Sequence, residues 1–397
     1  MERTAFIIAE YDPFHNGHAL HIRKTREAGA ETVVVVMSGN FVQRGDIAMG
    51  DKTLRTQMAL EGGADLVLEN PLKYVLSGAR YFAEGAIEAI KSTGIKGTVS
   101  FGASADVDTL KTLAGYLDTQ EIQEKIRSIS EEKHVPLAHA VQETVAQLLP
   151  DHADILKDPN NVLAVEYMRA ATRKGLQTDW YRVPRDTVLH DGENTLERLA
   201  SGKKIRSVIY GHESQYKDYC PETTVSLLER EIGEGSAPAD RKKYDAAFYS
   251  RLLTLTSKDL VTANGVSQGF DNRLIDAIQD CTSLQELYDT VKMKRFTHSR
   301  VRQAVVSAVL GIKKADLTRE NPYLRVLGFS DRGRELLRNI RDHSTVPVVM
   351  NLSEAPLSRE RTLDETAGKL YDLCRPKPRG GRAEYLVKPV ILHTTER

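Results

Sequence analysis

Two histidines three residues apart, His15 and His18, bracket Asn16 and Gly17 in the stretch Glu10–His18, EYDPFHNGH. At that spacing the imidazoles share one face of a first helical turn. Imidazoles beside a triphosphate donate hydrogen bonds to the charge that builds during attack at its α-phosphorus. Nothing need become covalently attached, because positioning and charge stabilisation suffice. Gly17 would let a nucleotide approach the backbone closely. Two other readings stay open: the histidines cap the helix, or they bind a metal. Zinc fits less well, because no Cys or further His lies at suitable spacing.

The flanking sequence says what must position this pair. Thr4–Tyr11 (TAFIIAEY) is a short apolar run, and His18–Gly29 reads as a helix ending at a glycine. Thr32–Ser38 (TVVVVMS) is β-branched and apolar enough for a strand buried on both faces. Asp51–Leu60 reads as a helix, Asp65–Glu69 as a strand, Ala79–Ile90 as a helix and Gly97–Gly102 as a fourth strand. Strands separated by helices of this length imply a parallel sheet with right-handed crossovers, a Rossmann-like α/β half. The histidines then stand where the first strand meets the first helix, at the carboxyl edge where open α/β sheets bind ligands. A helix start there offers free N–H groups and a positive dipole to phosphate.

Downstream, Asp106–Leu149 reads as helical, Asn160–Lys174 as a helix and Asp179–Val183 as a strand, with another helix starting near Gly202. The polar stretch Gly211–Pro221 marks a boundary, and the chain to about Leu337 is mostly helical. Val346–Met350 and Tyr385–Leu392 look like strands. The expectation is a Rossmann-like parallel-sheet nucleotidyltransferase domain over residues 1–212 and a mainly helical, partly basic domain over 213–397.

Lys and Arg number 55, as do Asp and Glu, so overall charge makes no case for nucleic acid and only local clusters can. Cys220, Cys281 and Cys374 are far apart with no metal spacing, which implies a reducing compartment and ordinary thiols. No apolar run reaches spanning length, and the N-terminus enters a strand at once. A cytoplasmic protein without a membrane partner is expected. Its oligomeric state is not legible.

EYDPFHNGH, MSGNFVQRGD (Met37–Asp46), DLVLENP (Asp65–Pro71), SFGAS (Ser100–Ser104) and PNNVLAVEY (Pro159–Tyr167) follow one another in order. In this the chain resembles the bacterial tRNA(Met) cytidine acetate ligases of the HxGH nucleotidyltransferase superfamily, from about residue 4 to 335. The resemblance implies activation of acetate with ATP to acetyladenylate and pyrophosphate. The acetyl group then passes to the exocyclic amine of the wobble cytidine in elongator methionine tRNA, without acetyl-CoA. ATP, Mg2+ with the nucleotide, acetate or another small carboxylate, and tRNA are the implied cofactors and partners.

The family's nucleotide-binding stretch corresponds here to Ile8, Ala9, Glu10, Tyr11, Asp12, Pro13, Phe14, His15, Asn16, Gly17, His18, Ala19, Leu20 and His21, with His15 and His18 catalytic. Gly102 matches the glycine of its FGSE block. In the PNN block Asn161 is favoured and Asn160 kept. An arginine ahead of the pair His190-Asp191 is Arg182, with Arg185 as the alternative. Ala200–Arg206 (ASGKKIR) resembles the superfamily's ISSTxIR-like segment, where Ser201, Lys203 and Arg206 would meet phosphates; an ordinary capped surface helix is the other reading. Ser38–Asn40, Gln43 and Arg44 either line an acetate or cytidine pocket or form a surface turn. For Lys52 and Arg55 a solvated helix face is the expectation, with a functional lysine near the carboxylate as the other reading.

Three departures from the family pattern adjoin these sites. Position 12 is Asp where Asn is usual, which adds negative charge near the triphosphate unless Asp12 holds magnesium or caps the helix. FGSE reads Phe101-Gly102-Ala103-Ser104, and the ASA-type block reads ASG.

From Val291 to Ala315 there is no acidic residue, and Lys292, Lys294, Arg295, Arg300, Arg302, Lys313 and Lys314 stand in that stretch. Clustered cations of this kind neutralise RNA phosphates, with Lys294, Arg295, Arg300 and Arg302 as the candidate tRNA contacts. Arg375–Arg382 could add to them. A basic face balanced by acidic helices is the plainer reading. Two rival functions remain: an adenylyltransferase acting on another small carboxylate or phosphate substrate, and a non-catalytic nucleotide- or RNA-binding relative.

Overall fold

The computed structural model describes residues 2–184, 199–267, 269–293 and 296–393. Its first part alternates as the sequence predicts: β1 (Thr4–Ala9), α1 (Asn16–Glu27), β2 (Thr32–Ser38), the hairpin β3 (Phe41–Val42) and β4 (Asp46–Ile47), α2 (Lys52–Glu61), β5 (Leu66–Asn70), α3 (Leu72–Val75), α4 (Ala79–Ser92) and β6 (Thr98–Ala103). Helices α5 (Val107–Leu117), α6 (Gln120–Glu132), α7 (Leu137–Leu148) and α8 (Pro159–Lys174) lead to β7 (Asp179–Pro184) and α9 (Gly202–Tyr210). Local chemistry sets the ends. Asp158 caps α8 ahead of Pro159, and Gly175, at φ 66°, closes it in the left-handed conformation.

Six short helices follow: α10 (Tyr216–Tyr219), α11 (Glu222–Glu234), α12 (Arg241–Leu253), α13 (Ser257–Thr262), α14 (Phe270–Asp280) and α15 (Leu284–Val291). The chain then forms α16 (His298–Leu310), β8 (Leu324–Ser330), α17 (Asp331–His343), β9 (Val348–Val349), α18 (Arg359–Leu373), α19 (Ala383–Leu386) and β10 (Val390–Leu392).

The main sheet runs β10-β8-β5-β2-β1-β6-β7, with β9 beside β8. Neighbours pair in parallel except β5 and β8, which are antiparallel. The chain leaves β1 toward β2 on one side and later returns to β6 on the other, so β1 is the switch point and its carboxyl end opens a crevice. β2 is buried from Val33 to Ser38, as its β-branched run requires.

Two strand readings change. β8 lies inside the stretch expected to be helical, and all seven of its residues are buried. A short run buried on both faces carries no alternation to separate strand from helix. Of Tyr385–Leu392 only Val390–Leu392 is a strand, and Ala383–Leu386 is a helical turn. The sheet thus draws strands from both sides of residue 212. The C-terminal helices have their own core around Phe248, Leu274 and Val305, and Phe41 and Ile47 of the hairpin are buried in it. Among the described residues no helix is long and apolar enough to cross a membrane.

Candidate active site

A cleft of about 710 Å3 opens at the carboxyl end of β1, and His15, Gly17, His18 and His21 line it. The histidines cap the helix they begin. His15 is the N-cap of α1: its Nδ1 accepts from Gly17 N at 3.1 Å, and His18 Nδ1 accepts from His15 N at 3.2 Å. This is a capping box made of imidazoles instead of Ser and Glu. It also assigns the tautomer, because an Nδ1 that accepts a backbone N–H leaves the ring proton on Nε2. The rings stack with centroids 3.6 Å apart. Capping and nucleotide chemistry are therefore compatible roles: the cap orients two Nε2–H donors from one helix start. A Cβ at Gly17 would stand 3.0 Å from the His15 ring, so the capping imidazole also favours a glycine there.

Around this start the aromatic residues divide. Phe14 is fully buried and lies under Tyr11 and His18, with ring centroids at 4.8 and 5.6 Å. Tyr11 sits at φ 49°, in the left-handed region, and its ring packs 4.7 Å from that of His18. Ile8, Ala9, Glu10, Tyr11, Asp12 and Leu20 line the cleft, whereas Pro13, Phe14, Asn16 and Ala19 do not.

The charge of Asp12 is absorbed locally. Its Oδ1 accepts from Met49 N at 2.7 Å and its Oδ2 from Arg44 Nη2 at 2.7 Å. Arg206 Nη1 lies 3.5 Å from the same Oδ2 and donates to the Asp12 carbonyl at 2.5 Å. Burial works against the carboxylate, but Arg44, Arg206 and Arg55 together hold it below the usual carboxylate range. Both oxygens are occupied, so Asp12 is an arginine anchor rather than an open ligand for magnesium. Glu10 differs. Its Oε1 accepts from Gln43 N at 2.5 Å, and burial pushes its carboxyl up against the pull of Arg44.

Arg55 corrects the solvated-face reading of α2. It is wholly buried and donates to the carbonyls of Glu10, Ser38 and Gly50 at 2.6–3.0 Å, tying β1, β2 and their loops together. Lys52 is buried as well, between Glu69 at 3.0 Å and Glu384 at 2.5 Å. Gln43 and Arg44 line the cleft, so that loop is not a plain surface turn.

Gly102, Ser201, Lys203 and Arg206 also line the cleft. Ser201 Oγ caps α9 by accepting from Lys204 N. Asn160 is at the cleft wall, while Asn161 is buried and its Oδ1 accepts from Ser104 N and Ala105 N at 3.1 and 3.3 Å, fixing the turn after β6. Arg182 donates to the carbonyls of Ala103 and Ser104, beside the cleft-lining Gly102, Val183 and Pro184, and is not itself among the lining residues. Arg185, His190 and Asp191 lie outside the described residues. Sequence reasoning missed the apolar wall formed by Phe82, Phe101, Leu163 and Tyr167. Their spacing is that of ordinary core faces of α4, β6 and α8, which gave no signal.

In the basic block Lys294 and Arg295 also lie outside the described residues. Arg300 and Arg302 are half-buried at the start of α16, over the rings of Phe296 and Tyr288 at 5.3 and 5.6 Å. The tail corrects its expectation. Arg375 is buried against Asp51 at 2.5 Å, Arg379 lies 3.3 Å from Asp372, and Lys377 donates to the Glu234 carbonyl. Arg375 is thus neutralised inside the protein, while Lys377 and Arg379 stay at the surface and are held there by these contacts.

A crevice at the switch point of a parallel sheet, with a histidine-capped helix start and Lys203 and Arg206 on its wall, defines a nucleotidyltransferase. The model of the HIGH nucleotidyl transferase family matches residues 1–384. A tRNA(Met) cytidine acetate ligase of Acetivibrio thermocellus is 32% identical over 94% of this chain and 95% of its own. One from Halothermothrix orenii is 31% identical over 97% and 98%. The crystal structure of Thermotoga maritima TmcAL bound with alpha-thio ATP superposes with a TM-score of 0.90 at 28% identity, covering 99% of this chain and 100% of that one. The chain belongs to the tRNA(Met) cytidine acetate ligase family of HIGH nucleotidyl transferases.

Proposed function

We propose that the protein activates acetate with ATP to acetyladenylate and transfers the acetyl group to the wobble cytidine of elongator methionine tRNA. The observation that carries this reading is the paired imidazoles at the start of α1, inside a cleft shared with a fold that binds alpha-thio ATP in Thermotoga maritima TmcAL. ATP would lie across the helix start, with its adenosine toward Gly102 and Asn160. Its β- and γ-phosphates would meet Lys203 and Arg206 at α9. The Nε2–H groups of His15 and His18 would donate to the α-phosphoryl oxygens as acetate attacks and pyrophosphate leaves.

Mg2+ would come with the triphosphate and neutralise its charge. Among the described residues no group of three or more His, Cys, Asp or Glu is placed to hold a metal. ATP chemistry is assigned to residues 1–212. Residues 213–397, through Arg300 and Arg302, supply the grip on tRNA in the cytoplasm. Incubation with ATP, labelled acetate and total tRNA tests the reading: pyrophosphate is released and label enters tRNA without acetyl-CoA. Label that enters only from acetyl-CoA refutes it.

A further inference from the structure

We propose that Glu10 is the general base of the acyl-transfer step, taking the proton from the attacking amine through its Oε2. This rests on the acyl-adenylate reading above and adds the residue that the second half-reaction needs. An amine nitrogen attacks the acetyl carbonyl carbon. The C–N bond forms, the bond from carbon to the AMP oxygen breaks, and AMP leaves with that electron pair. The attacking nitrogen must then lose one proton to give a neutral amide.

Among the described residues the cleft holds few groups able to take that proton. His21 has its Nε2 2.9 Å from Ser100 Oγ, at the foot of the cleft. His15 and His18 each accept a backbone N–H on Nδ1, which leaves both rings as Nε2–H donors. Asp12 has one oxygen on Met49 N, the other on Arg44, and a side chain only 1% exposed. Among the described residues Glu10 is the other carboxylate on the cleft wall, and it is held in one orientation by half of its carboxylate. Oε1 accepts from Gln43 N, and Arg55 fixes the Glu10 carbonyl. Oε2 lies 3.9 Å from Arg44 Nη1, beyond hydrogen-bond distance, and the Glu10 side chain is 29% exposed. A pinned carboxylate with an open oxygen is the geometry of a general base.

The position also faces the route from which RNA would arrive. Gln43, which donates to Glu10 through its backbone N, accepts through its carbonyl from Gln303 Nε2, on the helix that carries Arg300 and Arg302. Gly45, in the same hairpin, packs so closely on the Arg302–Gln303 backbone that no Cβ fits. One hairpin therefore joins Glu10 to the basic helix.

The groups around Glu10 set its proton affinity. Arg44 and Asp12 face it from the neighbouring loops, Arg55 from α2, Tyr167 from α8 and Arg206 from α9. Burial outweighs the arginines and raises its carboxyl above the ordinary value, which strengthens it as a proton acceptor.

Glu10→Gln keeps an oxygen to accept from Gln43 N but cannot take a proton. Two rates of the full chain are compared: acetate-dependent ATP–pyrophosphate exchange, and single-turnover transfer of labelled acetyl to tRNA. Transfer is expected to fall by about 100-fold or more, and by at least ten times the factor lost in exchange. The wild-type transfer rate rises with pH through the Glu10 titration, and that of Glu10→Gln does not. Equal loss of both rates, or transfer at the wild-type rate, overturns the assignment. A wild-type protein without acetate-dependent exchange overturns the activation reading itself, and the role of Glu10 with it.

Discussion

His15 caps the helix that carries His18, and His18 accepts the N–H of His15 in return, at 3.1 and 3.2 Å. Each ring thus spends its Nδ1 on structure and carries its proton on Nε2. The two roles can be separated by substitution. Asn at position 15 is a good N-cap but offers no Nε2–H at the same reach. His15→Asn should melt within a few degrees of wild type while exchange falls by about 100-fold. His15→Ala should lose the same activity and also about 1 kcal/mol of stability. Thermal unfolding beside exchange assays checks both, and a fully active His15→Asn would leave His15 with a cap role only.

Asp12 is the anchor of Arg44 and Arg206, and its side chain is almost wholly buried. Removing one partner of a buried ion pair strands the others, so Asp12→Ala should cost about 3 kcal/mol or more. The pH dependence has a definite sign. The folded carboxyl is held below its ordinary value, so its contribution is complete above that value and is lost as the pH falls through the lowered one. Denaturant titrations of wild type and Asp12→Asn should therefore differ most near neutrality and converge in acid. A constant difference down to pH 2 would be inconsistent with an ionised Asp12.

A second buried cluster behaves in the opposite way. Asp364 accepts from the Tyr323 hydroxyl at 2.5 Å near Glu69, Lys52 and Arg325, and burial with the Glu69 charge pushes it up to about 7. Its folded value exceeds the unfolded one, so its contribution is complete below the ordinary carboxylate range and is lost as the pH rises to about 7. Asp364→Asn should match wild type near pH 3, gain on it as the pH rises toward 7, and exceed it by about 1 kcal/mol or more at pH 8, since a tenfold change in proton affinity is worth about 1.4 kcal/mol. Equal pH slopes for the two proteins would refute the buried proton.

Arg300 and Arg302 stand at the start of α16, each over an aromatic ring. If they contact phosphate, replacing both with Ala should weaken tRNA binding and reduce the slope of log affinity against log salt by about 1.5 to 2. Acetate-driven exchange, which involves no RNA, should stay within a few-fold of wild type. Unaltered tRNA affinity would make them a solvated basic face.

The sheet up to β7 is legible because Thr32–Ser38 and its neighbours are apolar runs cut by helix-length segments. The paired histidines are legible from spacing alone, and so is the helix start that carries them. β8 is not, since seven consecutive buried residues with Arg325 among them have no period. Arg55, Lys52 and Arg375 are misjudged from sequence because their partners are distant along the chain, up to 332 residues for Lys52 and Glu384. Composition cannot distinguish a buried, paired cation from an exposed one. The choice between Asn160 and Asn161 turns on which face of α8 meets the cleft, and adjacent residues share every local signal.

The central claim is that the imidazole pair at the start of α1 drives adenylation of acetate. Its most direct test is acetate-dependent ATP–pyrophosphate exchange in wild type and in His18→Ala, with circular dichroism confirming that both are folded. Wild type should exchange only when acetate and ATP are both present, and His18→Ala should fall by at least about 100-fold with its secondary structure intact. Exchange by a folded His18→Ala at the wild-type rate would contradict the account.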